Sequence, residues 1–105
     1  MARVGFKMRL KDESVVPGYE KMHEEIGEEV LAAHRRAGMK NYSIFRDGLD
    51  LFARLECDDF DACIAHLETE PIMKEWWART NPIMQTDETG QKPLFVILKE
   101  VFYMD

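Results

Sequence analysis

The sequence predicts an α+β fold, a ferredoxin-like split β-α-β plan in which helices cover one face of an antiparallel sheet. The first observation is the order of its periodic segments, where strand-like alternation and helix-like spacing follow one another as β-α-β-β-α-β. The second is Asp47-Gly48, which lies between two strand-like runs and is a strong hairpin signal. The 105 residues suffice for a core, and we expect one domain spanning residues 1–105.

The first half of the chain contributes a strand and a long helix. Val4–Leu10 alternates, with Phe6 and Met8 on one face, as a half-buried strand does. From Pro17 to Ala37 apolar residues recur at steps of three and four, which predicts one amphipathic helix. Its predicted buried stripe consists of Tyr19, Met22, Ile26, Val30, Ala33 and Ala37.

The second half supplies three strands and a split helical segment. Asn41–Arg46 and Leu49–Glu56 read as strands that the hairpin joins, with Tyr42 and Ile44 sharing one face of the first. The remaining predicted elements are a short helix capped by Asp58 that stops near Thr69, a helix over Pro71–Thr80, and a long last strand over Leu94–Tyr103.

The last predicted strand also bears on assembly. Leu94–Leu98 is nearly all apolar, so both of its faces need cover, whereas the helices cover only one face of the sheet. We therefore expect a second copy to pack sheet to sheet, as a two-fold homodimer.

Composition argues against several kinds of partner. The chain is globular at 46% hydrophobic and 32% charged, and its net charge of −6 disfavours nucleic acid and anionic membrane surfaces. Cys57 and Cys63 form neither a disulfide framework nor a CxxC motif, and with His66 they fall short of a zinc set, so we expect buried thiols and no metal. Without a long apolar run near residue 1, we expect no signal peptide or membrane span, and a cytoplasmic protein.

Trp76 and Trp77, the only tryptophans, adjoin within the predicted helix that begins at Pro71. Neighbours on a helix point about 100° apart, so the two rings cannot share one burial direction. We expect one ring to enter the core and the other to line a concave wall, where an indole suits a flat apolar partner such as the C–H face of a sugar. The alternative is that both rings simply fill a wide seam between helix and sheet.

His23 is the candidate acid–base residue. It falls four residues after Tyr19 and three before Ile26, beside the predicted buried stripe, and Gly27 leaves an open notch next to it. An imidazole exchanges protons near neutral pH, whereas the alternative is a hydrogen-bonded helix residue without a catalytic task. His34, in a basic helix end, is expected only to interact with the helix dipole.

The predicted fold lets five side chains converge on one dry aromatic cleft. Such a cleft, with a lone acid–base group and hydroxyl donors, suits reversible proton transfer on a neutral polyol. No Ser-His-Asp set, glycine-rich phosphate loop or metal motif appears in the sequence. The five side chains are Tyr19, His23, Tyr42, Trp76 and Trp77.

The chain contains four ordered motifs: Tyr19-x3-His23-x2-Ile26, Asn41-Tyr42-Ser43-Ile44, Trp76-Trp77 and Glu100-Val101-Phe102-Tyr103. They resemble those of the L-rhamnose mutarotase family, and the resemblance runs from Phe6 to Tyr103, almost the whole chain. The chain departs from the family at Gly27 and Met22, where tryptophan and arginine are usual, and in the loop Asp87–Gly90. A glycine at position 27 would enlarge or reshape the pocket.

The resemblance implies a ferredoxin-like homodimer of the dimeric α/β barrel type that works without a cofactor. It implies the exchange of α and β pyranose anomers of L-rhamnose, with His23 as proton donor and Tyr19, Tyr42, Trp76 and Trp77 binding the sugar. Three alternatives stay open: a mutarotase for another deoxysugar such as L-fucose, a cofactor-free monooxygenase or haem-handling protein of the same barrel type, and a non-catalytic ligand-binding module.

Overall fold

A computed structural model describes residues 2–105 of the chain, which form four strands, four helices and two short 3-10 turns. The turns are Glu13–Val15 and Asn81–Ile83. In chain order the strands and helices are β1 (Ala2–Arg9), α1 (Val16–Glu24), α2 (Glu28–Arg36), β2 (Lys40–Asp47), β3 (Asp50–Cys57), α3 (Phe60–Leu67), α4 (Pro71–Thr80) and β4 (Val96–Leu98).

The four strands form one sheet in the order β2-β3-β1-β4, and every neighbouring pair is antiparallel. Along β1, Phe6 and Met8 are buried, and Ala53, which pairs with Phe6, is buried as well. The alternate residues of the same strands, such as Phe52, stay exposed. Helices therefore cover one face only, and the predicted α+β, ferredoxin-like fold is confirmed.

The single helix predicted over Pro17 to Ala37 is wrong, because the chain forms two helices there. Gly27 has φ of 89° and ψ of 150°, a conformation open essentially to glycine alone, and it stands directly before α2. Ile26 and Val30 keep the helical step of four across this break, so the apolar period continues although the backbone does not. The expected notch is present, since a Cβ on Gly27 would meet nothing within 4 Å.

The hairpin and the split helical segment follow the prediction closely. Gly48 adopts φ of 61° in the turn that joins β2 to β3, and Asp47 pairs with Asp50 across it. The predicted cap is off by one residue, since the carboxylate of Asp59, and not of Asp58, accepts from the Ala62 amide at 3.1 Å. The helix predicted over Pro71–Thr80 is confirmed with those bounds.

The last strand is much shorter than the predicted Leu94–Tyr103. β4 covers Val96–Leu98 and pairs with β1 through three residues. Beyond it the tail is held by side chains instead of a ladder: Arg3 bonds the Glu100 carboxylate at 2.8 and 2.9 Å, and its guanidinium lies 3.4 Å from the Tyr103 ring centroid. An apolar run indicates that a segment must be buried, but it does not specify which strand the segment pairs with.

Polar side chains of α2 and α3 meet at the Glu70 carboxylate, directly before α4. Arg36 of α2 bonds the Glu70 carboxylate through two nitrogens at 2.8 Å, and Nε2 of His66 reaches the same carboxylate at 2.8 Å. Cys57 and Cys63 are both free and buried, as predicted. Within residues 2–105, no helix has the length and apolar character needed to cross a membrane.

Candidate active site

Two adjoining spaces lie beneath the helices, on the covered face of the sheet. The inner cavity, of about 50 Å³, lies between Phe6, Trp77 and Thr80. The groove, of about 770 Å³, lies beside it between Leu31 and Asn41, and falls within the range typical of small-molecule sites. Both spaces share as walls His23, His34, Met39, Tyr42, Ile44 and Trp76.

The structure brings the five sequence-predicted site residues together. Tyr19, His23, Tyr42, Trp76 and Trp77 all line the inner cavity, although they come from three different elements. His23, Tyr42 and Trp76 line the groove as well, so these three face the larger space. This placement is compatible with the predicted roles, which stay predictions.

The His23 imidazole is held in one tautomer. Its Nδ1 lies 3.0 Å from the carbonyl oxygen of Tyr19, one helical turn earlier, and a carbonyl only accepts, so Nδ1 donates. Nε2 is left to exchange protons with whatever enters the cleft. The ring centroid lies 4.1 Å from that of Tyr19 and 5.3 Å from that of Trp76. Burial lowers the pKa of His23, the Tyr19 carbonyl opposes this, and the charge of His34 lowers it further.

The Tyr19 hydroxyl is buried and lacks a hydrogen-bond partner among residues 2–105. The side chain is 5% exposed, and burial raises its pKa to about 12, so the phenol remains protonated at neutral pH. A buried hydroxyl without a partner costs about 1–3 kcal/mol. A polar ligand in the cleft would satisfy it.

Tyr42 is directed into the cleft at an irregular point of β2. The register shifts between Lys40 and Ser43, and Asn41 adopts φ of 52° there. Bulges of this kind often re-aim side chains beside binding sites. The Tyr42 ring packs edge-on against Phe6 at 5.9 Å, and burial together with Tyr19 raises the pKa of its phenol.

The two tryptophans differ from the expectation of one core ring and one wall ring. Both are 6% exposed, and both line the inner cavity. Only Trp76 extends to the groove, and the Arg79 guanidinium lies 5.5 Å from its ring centroid. The cavity reaches into the core at this point, so one ring can be both buried and part of its wall.

Two polar residues of the cleft were missed by the sequence reasoning. His34 lines both spaces instead of serving only the helix dipole, and Thr80 is buried in the wall of the inner cavity. The signal for each is helical spacing: His34 follows the buried Val30 by four residues, and Thr80 follows Trp76 by four. The neighbouring Arg35 and Arg36 at the end of α2 favour the helix-dipole interpretation of His34 instead.

The fold and the cleft together define a class: a small ferredoxin-like α+β protein with a largely aromatic pocket that contains two imidazoles and two phenols. Aromatic rings, phenols and imidazoles dominate the walls, and no carboxylate of residues 2–105 lines the inner cavity or the groove. Over the same residues, no group of three or more His, Cys, Asp or Glu side chains is placed to hold a metal ion.

Comparison with known proteins specifies the family. A family model described as L-rhamnose mutarotase matches residues 3–104. The L-rhamnose mutarotase of Oceanobacillus iheyensis is 36% identical over the full length of both chains, and that of Listeria monocytogenes is 40% identical over 82% of this chain and 83% of its own. The crystal structure of an L-rhamnose mutarotase from Formosa agariphila superposes with a TM-score of 0.83 at 30% identity, covering all of both chains. The chain belongs to the L-rhamnose mutarotase family, which favours that prediction over the haem-handling and non-catalytic alternatives.

Proposed function

We propose that the protein is an isomerase that exchanges the α and β pyranose anomers of L-rhamnose. The observation that carries this proposal is the His23 imidazole, fixed through Nδ1 with Nε2 free, at the edge of an aromatic cleft. Membership of the L-rhamnose mutarotase family supports the choice of sugar.

The chemistry requires ring opening and closure on the other face of the carbonyl. His23, as imidazolium, donates a proton to the ring oxygen while the anomeric hydroxyl loses one, and the C1 to ring oxygen bond breaks. A positioned acid or base contributes about 10²–10⁴-fold, which matters for a reaction that already proceeds in water. Burial lowers the pKa of His23, so its cationic form becomes abundant only at a lower pH than that of a free imidazole.

The walls of the cleft suit a deoxysugar. Tyr19 and Tyr42 would hold sugar hydroxyls, and this would give the Tyr19 hydroxyl the partner that it lacks. Trp76 and Trp77 would pack against the C–H face and the 6-methyl group, since indole faces suit apolar ring surfaces. A methyl contact discriminates by about 1–3 kcal/mol, so sugars with a hydroxymethyl group should react more slowly.

The proposal includes a homodimer that packs through the open face of the sheet. Phe45 is 68% exposed and Phe52 39%, and they pair across β2 and β3. Along the same row Lys7 and Val96 extend the surface, and apolar area of this kind marks an association site. The tail residues Val101, Phe102 and Met104 are also exposed.

A cytoplasmic location is part of the same proposal. Cys57 and Cys63 are free thiols that lie close enough to interact, and burial raises the pKa of Cys63 to about 11. Neighbouring cysteines that remain reduced are usual in a reducing compartment.

Exchange NMR on the anomeric protons of L-rhamnose tests the activity. We expect the protein to accelerate the exchange well above the buffer rate, to act less on L-mannose, which carries a hydroxymethyl group in place of the methyl group, and to lose about 10²–10⁴-fold of the acceleration in His23→Gln. A His23→Gln protein as fast as the parent would remove His23 from the mechanism. Absence of acceleration by the parent would overturn the activity itself.

A further inference from the structure

His34 of α2 presents a second imidazole to the cleft that contains His23. Its Nδ1 lies 2.7 Å from the carbonyl oxygen of Val30, one turn earlier on the helix, so Nδ1 donates there. His23 makes the same type of bond to Tyr19 at 3.0 Å. The two rings are therefore fixed in the same tautomer, and each keeps Nε2 as its free nitrogen. Both rings line the inner cavity and the groove.

Ring opening of a pyranose adds a proton to the ring oxygen and removes one from the anomeric hydroxyl. Both oxygens are bonded to C1, so two proton-transfer groups are needed near that one carbon atom. No carboxylate of the described chain lines either space. Burial raises the pKa of Tyr42 and brings that of Tyr19 to about 12, so both stay protonated at neutral pH and neither supplies a phenolate to accept the proton. His34 is thus the wall residue best suited to take up the second proton.

We propose that His34 is the second catalytic acid–base group, a proposal that rests on the proposed mutarotase function. In opening, the His23 imidazolium gives its proton to the ring oxygen as the C1 to ring oxygen bond breaks. Nε2 of neutral His34 takes the proton of the anomeric hydroxyl, and the electrons of that O–H bond form the C1 carbonyl.

Closure runs the same transfers in reverse after rotation about the C1–C2 bond. The new hydroxyl adds to the opposite face of the carbonyl and returns its proton to His23. His34 returns its proton to the former carbonyl oxygen. Both imidazoles end as they began, and no oxidant, reductant or further reactant takes part.

The surroundings of the two rings decide the expected pH dependence. His34 packs against the Tyr42 ring of β2 at a centroid distance of 5.7 Å, and it lines the groove together with His23 of α1, Trp76 of α4, Arg35 and Lys40. On its other side His23 borders a shallower hollow that includes the acidic Glu20 and Glu24 and the basic Arg46. Burial raises the pKa of Tyr42 and brings that of Tyr19 to about 12, so both phenols remain neutral between about pH 5 and 8.

In the active form Nε2 of His23 carries a proton and that of His34 does not, so His23 is charged and His34 is neutral. The ratio kcat/KM should therefore follow a bell-shaped pH profile. Its acidic limb reports the loss of neutral His34, and its alkaline limb reports the loss of charged His23. Burial lowers both pKa values from 6.5, so both limbs should lie below pH 6.5.

The test combines two variants at one position with exchange NMR on L-rhamnose over a range of pH. His34→Asn keeps an amide near the Val30 carbonyl and removes Nε2, whereas His34→Gln keeps a polar group near the Nε2 position without its titration. We expect both to lose about 10²-fold in kcat/KM, the lower end of the usual range, because water in the cleft can replace the base. We also expect both to lose the acidic limb and to keep the alkaline one.

A matched control is His66→Gln. His66 lies on α3, outside the cleft, with Nε2 on the Glu70 carboxylate, so this variant should keep the rate and both limbs of the profile. Circular dichroism checks that each variant folds. Should a variant fail to fold, nitrogen-15 NMR of the histidine rings in the parent protein still decides, since the His34 Nε2 signal should move on addition of L-rhamnose.

The outcomes separate the two proposals. A parent protein that does not accelerate the exchange overturns the proposed function and this role of His34 with it. An active parent whose two His34 variants keep the acidic limb, or whose His34 signal ignores saturating L-rhamnose, overturns the role of His34 alone. A lower rate with an unchanged acidic limb would mean that His34 only packs against Tyr42.

Discussion

Alternate residues of the same strands lie on the two faces of the sheet, and helices cover one face while the other stays open. On the covered face, Phe6 and its partner Ala53 are buried beneath the helices. One residue away on each strand, Lys7 and Phe52 pair on the open face, and Phe45 beside them is 68% exposed. The chain covers the first face with its own helices and leaves the second face open, where we propose the dimer contact.

The two faces have different proposed roles. Every predicted site residue lies on the covered side, where exclusion of water strengthens each polar interaction that a sugar makes. The open face carries the proposed dimer contact. Substitutions on the covered face should therefore change folding and catalysis, and those on the open face should change assembly.

The largest effect is expected from Trp77→Ala on the covered face. Trp77 is 6% exposed, and removal of a buried tryptophan side chain costs about 3–5 kcal/mol of unfolding free energy. Urea unfolding measures this. Phe45→Ala is the matched aromatic control on the open face, where we expect less than about 1 kcal/mol in the dissociated chain. Equal losses for both variants would contradict the distinction between the faces.

A charge on the open face should break the proposed dimer and spare the fold. Phe52→Asp places a carboxylate in the row formed by Phe45, Phe52, Lys7 and Val96, and loss of an anchoring aromatic residue at an interface costs about 2–4 kcal/mol. Sedimentation equilibrium should give a dimer mass for the parent and a monomer mass for the variant. Glu88→Gln, in an exposed loop away from the sheet, is the control. A monomeric parent would refute the dimer.

The folded structure also indicates what the sequence could and could not predict. The hairpin at Gly48 and the α4 helix were predictable, because turn residues and Pro71 act locally. His23 could be placed beside Tyr19 because a step of four on a helix fixes their contact. These features depend on neighbours in sequence.

The errors share a different cause. The break at Gly27 depends on a backbone conformation that glycine permits but does not require, so an unbroken apolar stripe hid it. The short β4 depends on which strand edge is within reach, and a run of apolar residues does not contain that information. The spacing of His34 on its helix is local, but its place in the cleft depends on how α2 packs against Tyr42 of β2. All three depend on packing between distant segments.

A smaller effect on the covered face is expected from Gly27→Ala. Because φ is 89° and ψ is 150° at this position, any side chain is strained there, and we expect a loss of about 1–3 kcal/mol. Gly18→Ala in α1 is the control, since no neighbour lies within 4 Å of its added Cβ and alanine favours a helix by about 0.5–1 kcal/mol. Thermal unfolding measures both, and a gain in stability from Gly27→Ala would contradict the proposed origin of the break.

The smallest change in stability should come from Tyr19→Phe, and it separates binding from folding on the covered face. The Tyr19 hydroxyl is buried without a partner among the described residues, so its removal should leave the unfolding free energy within about 1 kcal/mol of the parent or raise it slightly. If that hydroxyl holds a sugar hydroxyl, KM for L-rhamnose should rise at the same time, by about tenfold for one neutral hydrogen bond. Urea unfolding and saturation kinetics give the two values. A stable variant with an unchanged KM would show that the Tyr19 hydroxyl, which has no hydrogen-bond partner among residues 2–105, does not bind the sugar either.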